Sequence, residues 1–154
     1  MNNKLVNVGN IIRVFLQMFL VFGIIILIFL VPITKLFHIH FDFFIFMIYP
    51  CGLLFLGLVF EFIKLFKTLE KNNPFCIDNV KRFKNNMFIS FSLCFLIFIA
   101  LLISNFCYDY YSPQLKVALL FISILFFCIA IAFYILSELF NQATLYKEEN
   151  DLTI

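Results

Sequence analysis

The sequence predicts an all-α membrane protein, with four transmembrane helices in an antiparallel bundle and helical extensions on the cytoplasmic side. Two observations carry this. Of 154 residues, 64% are hydrophobic and 13% charged, with 25 Phe, a balance far from that of a soluble globular domain. The apolar residues also gather into four runs at about 11–31, 43–63, 84–105 and 116–137, each near the roughly 20 residues a helix needs to cross a hydrocarbon core about 30 Å thick. None has the apolar/polar alternation of a barrel strand, and an open strand in lipid would leave its backbone groups unpaired.

The first run is long, and Val31-Pro32-Ile33-Thr34 after it offers no small-residue cleavage site. It reads as an uncleaved anchor, not a signal peptide. The second run contains Pro50-Cys51-Gly52; Pro50 lacks an N–H and frees the carbonyl of Phe46, so a kink is expected there. Beyond this span Phe62, Leu65, Phe66 and Leu69 recur at helical spacing, with Lys64, Lys67, Glu70 and Lys71 between them. That pattern predicts an amphipathic stalk. Asn72-Asn73-Pro74 ends it, because Asn before Pro disfavours the helical region. The returning stalk carries Val80, Phe83 and Met87 on one stripe, facing the first. The fourth span also overruns its boundary, with Leu139, Ala143 and Tyr146 repeating on one side before the acidic Glu148-Glu149-Asn150-Asp151. The chain reads as one domain, 1–154, with a hairpin at 64–84, a tail at 138–154 and no internal repeat.

Lysine and arginine set the orientation. The loop between the second and third spans holds Lys64, Lys67, Lys71, Lys81, Arg82 and Lys84, against Lys35 and Lys116 in the other two connections. The basic loop is therefore expected in the cytoplasm of a cell membrane, and four crossings bring both termini to the same side. A net charge of +2 predicts no direct nucleic-acid binding. Basic residues beside the bilayer attract anionic headgroups at about 1 kcal/mol each, and Tyr108, Tyr110 and Tyr111 suit the opposite headgroup layer.

No feature points to catalysis. Cys51, Cys76, Cys94, Cys107 and Cys128 include no C-x-x-C pair, the usual arrangement for thiol redox work. His38, His40 and Asp42 alternate in the first outer loop, but a metal site needs further ligands, and only Asp109 is available from the other. No metal or cofactor is expected. A kinked span can bind a transported substrate, yet the middle of every span lacks a carboxylate or base. Arg13, Gln17, Glu61 and Glu138 all reach the inner interface, where Arg13 is expected to bridge the two carboxylates and hold the bundle closed. Phosphate-binding loops, zinc-protease motifs and serine-nucleophile motifs do not occur.

Asn73-Pro74-Phe75, the following Asn79-Val80-Lys81-Arg82-Phe83 and the tail Lys147 to Ile154 resemble a family of small bacterial membrane proteins, domain of unknown function 2975. The resemblance covers essentially the whole chain. Members usually carry Thr or Ser after the Phe, as a helix N-cap; here Cys76 stands there, a poor acceptor, and the cap is expected to move to Asp78. The family has no established biochemical role. Its members are often encoded beside a small helix-turn-helix regulator, which implies a non-catalytic membrane component of a regulatory or signalling pair. The expected partner surface is Lys64, Lys67, Lys71, Asn73, Pro74, Phe75, Lys81, Arg82 and Lys84 together with the helix end at Glu138 to Glu149. The alternative is a small oligomeric transporter or pore.

Overall fold

The computed structural model describes residues 3–36, 42–70, 75–106 and 112–152. They form four helices: α1 (Asn3–Leu36), α2 (Asp42–Glu70), α3 (Ile77–Phe106) and α4 (Pro113–Leu152). Each is long and apolar enough to cross a membrane, and no strand occurs among the described residues. Successive helices run antiparallel, so the start of α1 and the end of α4 share one end of the molecule with the end of α2 and the start of α3. We call it the basic end. At about 1.5 Å per residue the 40 residues of α4 reach about 60 Å, twice the hydrocarbon thickness.

Two helix boundaries differ from expectation. Pro32 lies inside α1, which continues to Leu36 because neighbouring groups in a membrane helix can re-satisfy the backbone that a proline frees. The α3 cap stays at Cys76, whose carbonyl accepts from Asn79 N at 3.0 Å and Val80 N at 3.4 Å. Asp78 instead sits in the first turn, where its charge complements the helix dipole. The backbone geometry of the cap survives the loss of a good side-chain acceptor. At α4, Ser112 plays the same part, accepting from Leu115 N and Lys116 N, with Pro113 pre-set for the first helical position.

In lipid there is no hydrophobic drive between helices, so close packing of small residues and hydrogen bonds must hold them together. The α3–α4 pair does this over its whole length. On α3 the buried positions are Asn79, Phe83, Asn86, Ser90, Leu93, Ile97, Ala100 and Ser104, with Val80 beside them. Their spacing alternates four and three. On α4 the small residues Ser123, Ala130, Ser137 and Thr144 are buried every seventh position, and Phe126, Phe133 and Phe140 recur between them. A strict seven-residue repeat keeps one seam facing a partner when the two helices supercoil left-handedly. The chain therefore has a periodicity that its sequence was not expected to contain. The side of α4 carrying Leu139 and Tyr146 is also not the packed one: they are 55% and 67% exposed.

Burying the small hydroxyls costs little, since Ser104, Ser123 and Thr144 donate to the carbonyls of Leu101, Leu120 and Phe140 in their own helices. Ser137 instead donates across the seam to the Val80 carbonyl at 3.4 Å. α2 joins this pair as a third member, through Leu58, Leu65 and the contact of Phe62 with Phe133, ring centroids 5.5 Å apart. The two stalks meet through Thr68 and Asn79, and Leu65 and Phe83 are buried in one cluster that also includes Phe133 of α4.

α1 packs on α2 alone; among the described residues it has no Cα within 8 Å of α3 or α4. The contact is reciprocal. Leu56 of α2 lies against Gly23, and Leu27 of α1 lies against Gly52, so that a Cβ on either glycine would stand 2.6 Å from the facing leucine methyl. Tyr49 Oη donates to the Leu27 carbonyl at 2.9 Å, and Phe19 meets Phe55 edge to face at 6.1 Å. Pro50 lies inside α2 one residue beyond this hydrogen bond. Replacing Gly23 or Gly52 with Val should cost about 1–3 kcal/mol of stability by overpacking. Gly57→Ala, whose new methyl would find its nearest neighbour 3.9 Å away, should be close to neutral. Unfolding in mixed micelles with SDS compares the three.

Candidate functional site

The buried amides and the cross-helix ion pair of the core collect at the basic end. Glu61 on α2 accepts from Lys64 Nζ at 2.9 Å, one turn on, and faces Arg82 Nη1 of α3 at 4.0 Å. The Glu61 side chain is 14% exposed, that of Arg82 24% and that of Lys64 37%. Lys64 Nζ also lies 4.2 Å from the centre of the Phe60 ring. One level further along, Thr68 Oγ1 is 2.7 Å from the Leu65 carbonyl and 2.8 Å from the side-chain amide of Asn79. The hydroxyl has one proton; with that proton given to Leu65, the contact is satisfied when the Asn79 amide turns its NH2 toward the oxygen.

Above this pair of contacts, Arg82, Asn86 and Ser90 follow one another at four-residue spacing on α3. Asn86 and Ser90 are 0% exposed. Neither polar atom of the Asn86 amide has a hydrogen-bond partner, nor has Ser90 Oγ, Arg82 Nε or Arg82 Nη1. A buried group left in this state costs about 1–3 kcal/mol. An aromatic column flanks them: Phe75 and Phe83 both meet Phe140, at 5.6 and 4.8 Å, and Phe83 continues to Phe133 at 6.5 Å.

The expected interfacial cluster is distributed differently. Arg13 is half-buried on the stripe of α1 that also carries Gly23 and Leu27, while Gln17 and Glu138 are exposed. The cross-helix contact to Glu61 comes from Arg82. That removes Arg82 from the exposed partner surface and makes it part of the α2–α3 packing. Lys67, Lys81, Lys84 and Phe75 remain exposed. Lys71, Asn73 and Pro74 lie outside the described residues, as do His38, His40, Asp109, Cys107 and the three outer-loop tyrosines; Asp42 is the first residue of α2. Cys51, Cys76 and Cys94 are half-buried free thiols, and Cys128 is an exposed one.

Asn79, Asn86 and Ser90 were missed because amides and hydroxyls inside an apolar run read as minor interruptions. Their signal is the spacing: Asn79 and Asn86 stand seven apart, and Asn86 and Ser90 four. Beyond the aromatic column a shallow cleft of about 290 Å³ opens between Phe75 to Asp78 at the start of α3 and Thr144, Lys147 and Glu148 of α4.

Four helices, each long and apolar enough to cross a membrane, define a multi-pass membrane protein. The chain matches the family described as protein of unknown function (DUF2975) over residues 5–154, and it belongs to that family. No curated protein and no solved structure matches it.

The geometry ranks the acid–base contacts by burial. Glu61→Gln should lower stability by about 1–3 kcal/mol, because it leaves the Arg82 charge in place without its carboxylate. Lys64→Gln should cost at most about 1 kcal/mol, as expected of a partly solvated pair. Unfolding free energies in detergent or bilayers test the order.

Proposed function

We propose that the protein is a non-catalytic membrane component that presents its basic end, in the cytoplasm, to a regulatory partner protein. The observation that carries this is the surface beyond the spans. There Phe75, Ile77, Leu145 and Tyr146 are exposed, with Lys67, Lys81 and Lys84 exposed on the neighbouring helices. Tyr146 lies about 10 Å further along α4 than Leu139, so lipid does not account for its exposure if Glu138 marks the interface. Leu65, Val80 and Phe83 of the stalk stripes are not part of this surface, because they are buried. What is left is apolar side chains flanked by charge, a surface of the kind that receives an amphipathic helix. The implied association with a helix-turn-helix regulator supplies a partner of suitable size, and the positive charge supports a cytoplasmic location.

The transporter or pore reading needs a polar path through the middle of the spans. The described seam there is Leu93, Ile97 and Ala100 against Ser123, Phe126 and Ala130, and Ser123 donates its proton to its own helix. This favours the first reading.

Two measurements check the proposal. Reporters fused after Ile154 and at Tyr110 should report cytoplasmic and external locations; the reverse pattern removes the proposal's premise. A photo-crosslinker placed at Tyr146 in native membranes should then capture a discrete protein. That band should fall severalfold in a Leu145→Glu, Phe75→Glu variant inserted to the same level. A band unchanged by these substitutions, together with unchanged transcription in the host, contradicts the proposal.

A further inference from the structure

We propose that the basic end of the α2–α3–α4 core contains a buried hydration site, a short chain of water molecules bound by Arg82, Asn86 and Ser90. The three residues occupy successive turns of one helix, so their Cα positions are about 6 Å apart along the axis and span about 12 Å in all. Side chains at this spacing are neighbours on one face, yet the unpartnered atoms of the three are not hydrogen-bonded to one another, and one water between each pair would satisfy them. The ligand chemistry follows from the unpartnered atoms. Arg82 offers two donors, Asn86 both a donor and an acceptor, and Ser90 a hydroxyl able to do either. Glu61, 4.0 Å from Arg82, offsets the guanidinium charge, so the site favours neither an anion nor a cation. Water is the small ligand that donates and accepts equally.

Two small residues, Ala130 and Gly57, stand near this level. Ser137 lies against Val80, so the antiparallel register brings Ala130, seven residues back, beside residues 87–90. On α2, a Cβ on Gly57 would meet the Ile89 side chain at 3.9 Å, an ordinary van der Waals contact. The entry is the half-exposed Arg82. The chain of water ends at Leu93, which is 1% exposed and followed by Ile97 and Ala100, and so forms a closed notch and not a channel. The site stands on side-chain chemistry and does not rest on the partner reading.

Water-edited solid-state NMR of asparagine- and leucine-labelled protein in lipid bilayers tests it. The Asn86 side-chain signal is identified by its loss in Asn86→Gln. Water magnetisation should reach the Asn86 amide as quickly as it reaches exposed Asn85, and severalfold faster than it reaches the Leu93 amide. Ser90→Val, which fills the space, should slow transfer to Asn86 severalfold and leave Asn85 unchanged. Ser90→Ala adds no bulk, removes one partner of the water and should slow transfer to a smaller extent. Transfer to wild-type Asn86 as slow as that to Leu93 would overturn the proposal, with Ser90 bonded to a backbone carbonyl and the Asn86 amide closed onto Arg82. So would fast transfer that neither Ser90 variant changes.

Discussion

The fold depends on how closely α3 and α4 can approach in a solvent that gives them no reason to associate. Lipid is as apolar as the side chains it meets, so a helix pair persists only if its surfaces fit better against each other than against acyl chains. α4 meets this requirement by setting a small residue at every seventh position from Ser123 to Thr144 and a Phe between each pair. The small residues let the backbones come together, and the phenyl rings fill the spaces left on either side. α3 answers with Leu93, Ile97 and Ala100 in its middle and with polar residues toward the basic end. This one seam fixes the register from which the other contacts follow.

Once α3 is held in that register, Asn79 and Arg82 meet α2, and the stalk of α2 docks by pairing Thr68 with Asn79 and Glu61 with Arg82. The polar contacts lie at the level where water can reach at least one partner, which keeps their desolvation cost low. α1 is added last in this hierarchy. It has no seam with α3 or α4 and is seated on α2 by two leucines in two glycine notches. The outer stripes of α1, bearing Ile11, Phe15, Phe22 and Phe29, are left to lipid.

Most of the fold was legible because lipid imposes a simple rule. Twenty apolar residues in a row have one stable backbone conformation, and four such runs are visible without any knowledge of packing. The amphipathic stalks were legible for the same reason, since charge marks their wet side and Leu65, Val80 and Phe83 mark the dry one. Packing within the spans was not. Where every face is apolar, hydrophobic periodicity carries no contrast, and the information moves into residue size: the Ser, Ala and Thr of α4 and the Asn and Ser of α3. The repeat of Leu139, Ala143 and Tyr146 does not mark the buried side of α4, which is the one with small residues. Arg13 drew attention as a charge inside an apolar run, yet it belongs to the helix with the fewest neighbours. Arg82 looked like a topology determinant and turned out to face a carboxylate.

The proposed function rests on the same physics. The described middle of the α3–α4 seam is closed by Phe, Leu and Ala, and the exposed side chains near the ends of α2 and α4 and at the start of α3 form the surface that the proposal assigns to a partner. All of this presumes the α3–α4 seam. The most direct test is the unfolding free energy in bilayers of Ala130→Leu compared with Cys128→Leu. Position 130 is buried in the seam and Cys128 is exposed two residues away. The account predicts a loss of about 1–3 kcal/mol at Ala130 from overpacking and almost none at Cys128. Equal, small effects at both positions would contradict it.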